Sequence, residues 1–470
     1  MSTPIGTHQS RTSASSSRTS PAPPPAGSPP RRRGRMAMVV IGSAVVGFLA
    51  AAALVIAPVV PATESAMTGA VLCGFAIGWA ALVALSTRLT DQPQRWAGVP
   101  AVVLGAGGVA LLAVGSAAHP AVDWVWPPVL FGLALWLTVR VRHDVAGRAA
   151  RWLLYPVVGA MGLAAVGGAY QTVGSAVDSS SVAMPGRLVD VGGHRLHLSC
   201  AGSGSPTVVV EAGGGEMAAN LGWVTTAVSP DTTTCVYDRA GRGWSEDADS
   251  PQDAVAISTD LDTLLHRAGV PGPYVIAGHS FGGLYALTFA ARHPDEVAGM
   301  VLIDSTAPHY DGADIPPNAA GPGSYDVVRR FSALTSSVAR LGVGRLFAVL
   351  AVPDLPSPER DQVRVSTAMP GTFRSTIEEY LRANDSMREA GSLRGIGEKP
   401  LVVLSAGVGS AADWPQKQQR LATLSTDGVY RVVDGATHDS LVGDPVHAAI
   451  TSRAILEVVD SVRTGAPLSR

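Results

Sequence analysis

The sequence predicts an α/β domain on an eight-stranded, mostly parallel sheet, preceded by an all-α region of apolar helices. Three observations predict it. Between Arg187 and Val462 short apolar runs alternate with stretches of helical periodicity, the pattern of parallel strands joined by crossover helices. Between Met36 and Tyr170 the chain carries successive apolar stretches, each close to the roughly 20 residues that cross a bilayer core. At Gly278-His279-Ser280-Phe281-Gly282 an apolar run (Tyr274 to Ala277) enters a Gly-X-Ser-X-Gly sequence, and a helical pattern (Leu284, Leu287, Phe289) leaves it. That is the strand–turn–helix setting of a nucleophile elbow.

The first third is expected to be membrane-embedded. Residues 1–35 are rich in Ser, Thr, Pro and Gly and end in Arg31-Arg32-Arg33-Gly34-Arg35, which reads as a disordered basic tail. The apolar run from Met36 to Val60 is longer than a signal-peptide core of roughly 7–15 residues, and more such runs follow. Further spans read at Ala66–Leu85, Ala97–Ala118, Ala121–Val139 and Trp152–Tyr170, about five in all over residues 36–170.

Arginines precede the first span and fill the second and fourth loops (Arg88, Arg95; Arg140, Arg142, Arg148, Arg151). The first loop, Pro61 to Glu64, and the third, near His119 and Pro120, carry no Lys or Arg. This positive-inside alternation puts the N-terminus in the cytoplasm and everything after Tyr170 on the far side of a cell membrane. The spans hold essentially no ionisable residues, which favours an anchoring or packing bundle over a transporter. Gly74 and Gly78 form a GxxxG pair suited to close helix packing.

Residues 171–185 read as a Ser-, Gly- and Ala-rich linker, and residues 186–470 as the α/β domain. Its strands are expected at Arg187–Val191, Arg195–Cys200, Thr207–Glu211, Thr234–Tyr237, Tyr274–Ala277, Met300–Ile303, Leu401–Leu404 and Tyr430–Val433. Residues 305–397 contain no strand pattern. Helical stretches at Tyr325–Leu341, Pro358–Thr367 and Thr372–Ala390 make them a cap above the strand ends.

Composition excludes some functions. With 35 basic against 37 acidic residues, a net charge of −2, the chain offers no basic surface for nucleic acid. Its three cysteines form no Cys-X-X-Cys pair. His194 and His197, three apart in a strand, face opposite ways, so no metal site is read there and no cofactor is called for.

What remains is nucleophilic chemistry. Ser280 sits in a turn whose flanking residues, Gly278 and Gly282, must be small, and its hydroxyl needs a base. His438, in the loop after the last strand, opens on the same sheet edge as the elbow. The acid that orients it is Asp304, at the end of the strand Val301-Leu302-Ile303, or alternatively Asp413, about six residues beyond the next strand. The oxyanion donors are the N–H of Phe281 and one from the turn Glu211-Ala212-Gly213-Gly214-Gly215, Gly214 first and Gly213 next.

With the elbow, the Gly213–Gly215 turn, Asp238-Arg239-Ala240-Gly241-Arg242-Gly243-Trp244-Ser245 and the late His438, residues Arg187 to Val462 resemble the α/β-hydrolase superfamily. The resemblance implies strand order 1-2-4-3-5-6-7-8, a nucleophile–acid–histidine triad, and substrates ranging over esters, amides, thioesters and lipids. Serine at position 280 argues against the dehalogenase and epoxide-hydrolase branches, which need a carboxylate there. The sequence departs from the pattern in lacking an acid in the few residues after Leu404-Ser405-Ala406-Gly407. That strand order also makes the second and fourth strands neighbours, so Cys200 and Cys235 form either a disulfide, permitted outside the cytoplasm, or two buried thiols. Cys73, in a span, packs.

The leading expectation is therefore a membrane-anchored serine hydrolase acting on a small-molecule or lipid-like acyl substrate. The alternatives are a non-catalytic ligand-binding receptor on the same fold and a cofactor-free oxidative chemistry.

Overall fold

A computed structural model of the chain describes residues 36–248, 251–310, 322–350 and 354–469. The expected basic tail, residues 1–35, lies outside the described residues.

Five apolar helices open the structure: α1 (Met36–Ile56), α2 (Glu64–Leu89), α3 (Gly98–Val114), α4 (His119–Asp144) and α5 (Arg148–Ser181). Gly115 at φ 68° breaks the otherwise continuous helical run between α3 and α4. The break lets the two run antiparallel, so that Trp96 before α3 meets Trp136 near the end of α4, ring centroids 6.4 Å apart. The expected GxxxG pair does close α1 onto α2: a Cβ at Gly74 would lie 2.4 Å from the Ala51 backbone. The backbone of α1 or α2 would have to shift to make room for it.

Two expectations change here. The segment expected as a linker is helical as far as Ser181, because α5 continues well past Tyr170. Ser179, Ser180 and Ser181 return their hydroxyls to carbonyls of the preceding turn, and Asp178 accepts from Arg345 at 2.6 Å. A Ser- and Gly-rich composition reads as flexible, but these partners hold it in a helix. The second change is in the cap, where residues Arg329–Leu350 form another stretch long and apolar enough to cross a membrane. Its exposed face carries Phe331, Leu346 and Phe347.

The α/β domain follows, with strands and helices alternating after the first three strands. Its strands are β1 (Arg187–Asp190), β2 (Arg195–Ala201), β3 (Thr207–Glu211), β4 (Thr234–Tyr237), β5 (Tyr274–His279), β6 (Val297–Ile303), β7 (Leu401–Ala406) and β8 (Gly428–Val433). They order as β1-β2-β4-β3-β5-β6-β7-β8, antiparallel at β1–β2 and β2–β4 and parallel elsewhere. The central strands β3, β5 and β7 are buried along their whole length, as a sheet covered on both faces requires. Helices α6 (Gly222–Val228), α7 (Ala254–Ala268) and α8 (Phe281–Arg292) cover the first half of the sheet. Leu261, Leu264 and Leu265 of α7 are fully buried with Leu284 and Phe289 of α8.

The cap rises between β6 and β7 as α9 (Pro322–Val338), continued by a wide turn over Ala339–Val343, then α10 (Gly344–Leu350), α11 (Glu359–Thr367), α12 (Pro370–Leu381) and α13 (Ala383–Ala390). The last expected cap helix is thus two, broken at Arg382. Helices α14 (Trp414–Ala422), α15 (Ser440–Gly443) and α16 (Pro445–Thr464) complete the domain. Cys200 and Cys235, paired in register between β2 and β4, form a disulfide.

The cap seats on one end of the bundle. Arg340 bridges Glu64 at the start of α2 and Asp123 near the start of α4, the latter at 3.0 Å, and donates to His119 Nδ1 at 2.8 Å. This is the end whose loops carry no Lys or Arg.

Candidate active site

The elbow is built by close approach. A Cβ at Gly278 would lie 2.5 Å from the Gly282 carbonyl oxygen, and one at Gly282 only 2.4 Å from that of Glu211. Ser280, between them, takes φ 54° and ψ −121°, a strained setting for a residue with a side chain that costs about 1–3 kcal/mol. Its N–H is held by the Ile303 carbonyl at 3.1 Å, and its own carbonyl accepts from Gly283 and Thr306. The residue that follows, Phe281, begins α8, whose free N–H groups face the strand ends.

At the end of β6 a second non-glycine residue has positive φ: Asp304, at 43°. Its Oδ2 lies 2.6 Å from His438 Nδ1, and its Oδ1 accepts from Trp414 Nε1 at 2.6 Å and from the Ala406 N–H at 3.1 Å. Burial works against this carboxylate's charge, but the bonds from His438, Trp414 and Ala406 outweigh it and hold its pKa below the usual aspartate value. Asp413 lies elsewhere: it precedes α14, exposed, and pairs with Lys417 at 2.7 Å. Of the two candidate acids the structure brings Asp304 to His438. Asp413 is turned away because α14 starts immediately after it and directs it outward.

The turn after β3 presents three glycines with different fates. Gly213 gives its N–H to Glu216 Oε2 at 2.6 Å and Gly215 gives its own to Glu379 Oε2 at 2.8 Å. Among the described residues the Gly214 N–H, unlike those of its two neighbours, has no acceptor. Phe281 lies against this turn, its ring centroid 5.0 Å from that of Tyr380 on α12.

Several residues around the site carried no signal that sequence reasoning used. His279 is fully buried, with Nδ1 3.2 Å from Glu216 Oε2 and Nε2 3.2 Å from the His438 carbonyl. Burial alone would lower its pKa, but Glu216 and the His438 carbonyl raise it, while His279 and the Gly213 N–H depress that of Glu216 despite its burial. Behind the turn, Arg239 donates to the carbonyls of Ala212 and Gly213 at 2.8 and 2.6 Å and lies 4.9 Å over the Tyr285 ring. Arg239 and Arg242 belong to the Asp238–Ser245 sequence. The rest of that sequence is structural: Asp238 accepts from Ala218 N–H, Trp244 N–H and the ring of His197. Glu379 sits in a cap helix with no motif of its own.

Among the described residues, the metal-type cluster lies away from this edge. Asp262, His293 and Glu296 bring ligand atoms within 4.8 Å of one another, but His266 already bridges Asp262 and Glu296. They form an ion-pair cluster at the opposite end of β6 from Asp304.

Residues 206–445, about half of the chain, match the alpha/beta hydrolase fold family as a whole. The chain belongs to the α/β-hydrolase family. An uncharacterized protein of Schizosaccharomyces pombe is 30% identical over 304 residues, covering 56% of this chain and 54% of that protein. Lipase LipV of Mycobacterium tuberculosis is 41% identical over 75 residues, 16% of this chain and 28% of the lipase. The chain thus spans about half or less of the length of these curated relatives. Among solved structures, a thermophilic esterase from Thermogutta terrifontis is similar at 23% identity and a TM-score of 0.45, over 58% of this chain and 95% of the esterase. Membership makes this chain a hydrolase-fold protein with hydrolase relatives.

Proposed function

We propose that this chain is a membrane-anchored serine hydrolase that cleaves an ester, amide or thioester through an acyl-enzyme. The observation that carries the proposal is the His438–Asp304 contact of 2.6 Å on the same sheet edge as the strained Ser280.

In this mechanism Asp304 fixes the Nδ1–H tautomer of His438, which leaves Nε2 to accept the proton of Ser280 Oγ as it attacks the acyl carbonyl. The carbonyl oxygen takes up charge between the N–H groups of Phe281 and Gly214. His438 returns the proton to the leaving group, and a water activated by the same nitrogen then cleaves the acyl-enzyme. Trp414 and the Ala406 N–H keep Asp304 ionised and aimed, so the acid comes from the end of β6 rather than from beyond β7.

Anchoring is supported by the length and apolar character of α1 to α5. An orientation with the hydrolase domain outside the cytoplasm is supported by two further features. The cap meets the bundle at the end free of Lys and Arg loops, and the Cys200–Cys235 disulfide suits an oxidising compartment.

The test is labelling of intact cells with a membrane-impermeant fluorophosphonate, wild type against Ser280→Ala. Labelling of wild type alone is expected. Labelling only after lysis would overturn the orientation, and no labelling in either state would overturn the nucleophile.

A further inference from the structure

A large space lies away from Ser280. A cavity of about 930 Å³ lies between the bundle and the cap, walled by α2, α3, α4 and α5 and closed by residues 334–341 and Pro370. It stands at the upper end of the roughly 300–1,000 Å³ range of small-molecule sites. Its deeper wall is apolar, with Val71, Phe75, Leu111, Trp126 and Leu130. Its polar side lies at the cap, where the polar groups nearly all have partners. Thr68 and Ser337 bond each other at 2.6 Å, and Thr172 gives its hydroxyl to the Asp123 carbonyl.

The exception is Gln171. It lines the cavity and is only 6% exposed. Its Nε2 donates to Ser175 Oγ at 3.1 Å and to the Ala368 carbonyl at 3.0 Å. The Ala368 carbonyl fixes the amide's orientation, since a flip would set two acceptors against each other. Oε1 is therefore a buried acceptor with no donor among the described residues, on a residue that lines a cavity large enough for a ligand, and a donor in the cavity reaches it once the side chain shifts toward the cavity. Arg340, the basic residue among those lining the cavity, is already matched by Glu64 and Asp123. An anionic head group would find no cation to spare there.

We infer that the cavity between bundle and cap binds a neutral amphiphile, an apolar chain against α2, α3 and α4 and a head that donates a hydroxyl or amide hydrogen to Gln171 Oε1. This is a site separate from the serine, reached from the membrane. It rests on the reading of α1 to α5 as a lipid-embedded bundle. Pro370, on its wall, opens α12, the helix that carries Glu379 and Tyr380 to the glycine turn.

The test uses the full chain carrying Ser280→Ala in lipid nanodiscs, so that binding is read without turnover. The probe is a monoacylglycerol with a photoreactive diazirine in its chain, with crosslinks mapped by peptide sequencing. Crosslinks are expected on α2, α4 and α5 around Val71, Trp126 and Ala164, competed by unlabelled monoacylglycerol and not by the corresponding fatty acid. Ala164→Trp and Val71→Trp, which fill the cavity from different walls, are each expected to cut these crosslinks at least fivefold. Gln171→Leu is expected to cut them severalfold while the unfolding temperature and gel-filtration profile stay those of the parent. Crosslinks spread over the outward faces, for example at Met38 and Phe48, indifferent to competitor and to all three variants, would overturn the inference. Equal competition by the fatty acid would overturn the neutral head. A chain that purifies without detergent would instead overturn the membrane reading beneath it.

Discussion

Glu379 of the cap and Arg239 of the core meet at 2.8 Å, both almost fully buried, directly behind the glycine turn. Arg242 reaches the other oxygen of the same carboxylate at 2.8 Å, and Tyr285 and the Gly215 N–H complete its shell. Removing Glu379 leaves buried Arg242 without its counter-charge and Arg239 with only Glu211, at 3.8 Å, which costs about 3–5 kcal/mol. Glu379→Ala is therefore expected to lower the unfolding temperature markedly and to reduce kcat/KM as the turn loses its cap-side support. Differential scanning fluorimetry in detergent and ester hydrolysis check the two effects, and an unchanged unfolding temperature would count against the network.

Asp304→Asn removes the charge that steadies a protonated His438 and admits the wrong tautomer. A fall in kcat of about 10³–10⁴-fold is expected, with KM little changed. Asp413→Asn, which alters an exposed pair with Lys417, is expected to stay within about twofold of wild type. Burst kinetics with a chromogenic ester distinguish the two acids. A silent Asp304→Asn would move the role elsewhere.

The His279–Glu216 pair has a pH signature. Its folded imidazole pKa is raised, so its stabilisation is complete below the unfolded histidine value and fades as pH rises through the folded one. The Glu216 pKa is depressed, so its stabilisation is present above the unfolded carboxylate value and is lost as pH falls through the folded one. The pair therefore stabilises most in the window between them. The unfolding-temperature deficit of Glu216→Gln should be largest at roughly pH 5–6 and should shrink on the alkaline side. A deficit that does not vary with pH would show that the pair is not ionic.

The Cys200–Cys235 bridge closes a sequence separation of 35 residues. Loop closure of that size is worth about 4 kcal/mol in the unfolded chain. The double variant Cys200→Ser, Cys235→Ser is expected to unfold earlier than wild type, and adding reductant should bring wild type toward it. Thermal scans with and without reductant check this. Identical scans under both conditions would show that the bridge does not form in the expressed protein.

Much of this protein was legible along the chain because its decisive signals are local. The strand–turn–helix around Ser280, the alternation of apolar runs and the position of His438 after the last strand are properties of short windows. Local sterics and periodicity act over the same distances. The sheet order came from resemblance to a family, and the structure has that order. Tertiary structure alone decided the rest, for a common reason: each outcome depends on a partner distant in sequence.

Asp304, named first from the sequence with Asp413 as the alternative, contacts His438 with Trp414 and Ala406, from the end of β7 and beyond, closed around it, partners that no short window of sequence reveals. Residues 171–181 are helical because Arg345 and Arg364 of the cap hold Asp178, which composition could not reveal. Gly214 emerged as the free donor of its turn because carboxylates at positions 216 and 379 occupy its neighbours. A chain specifies its short-range geometry residue by residue. Charges and hydrogen bonds between elements are assigned only once folding has brought those elements together and removed the water that competed for them.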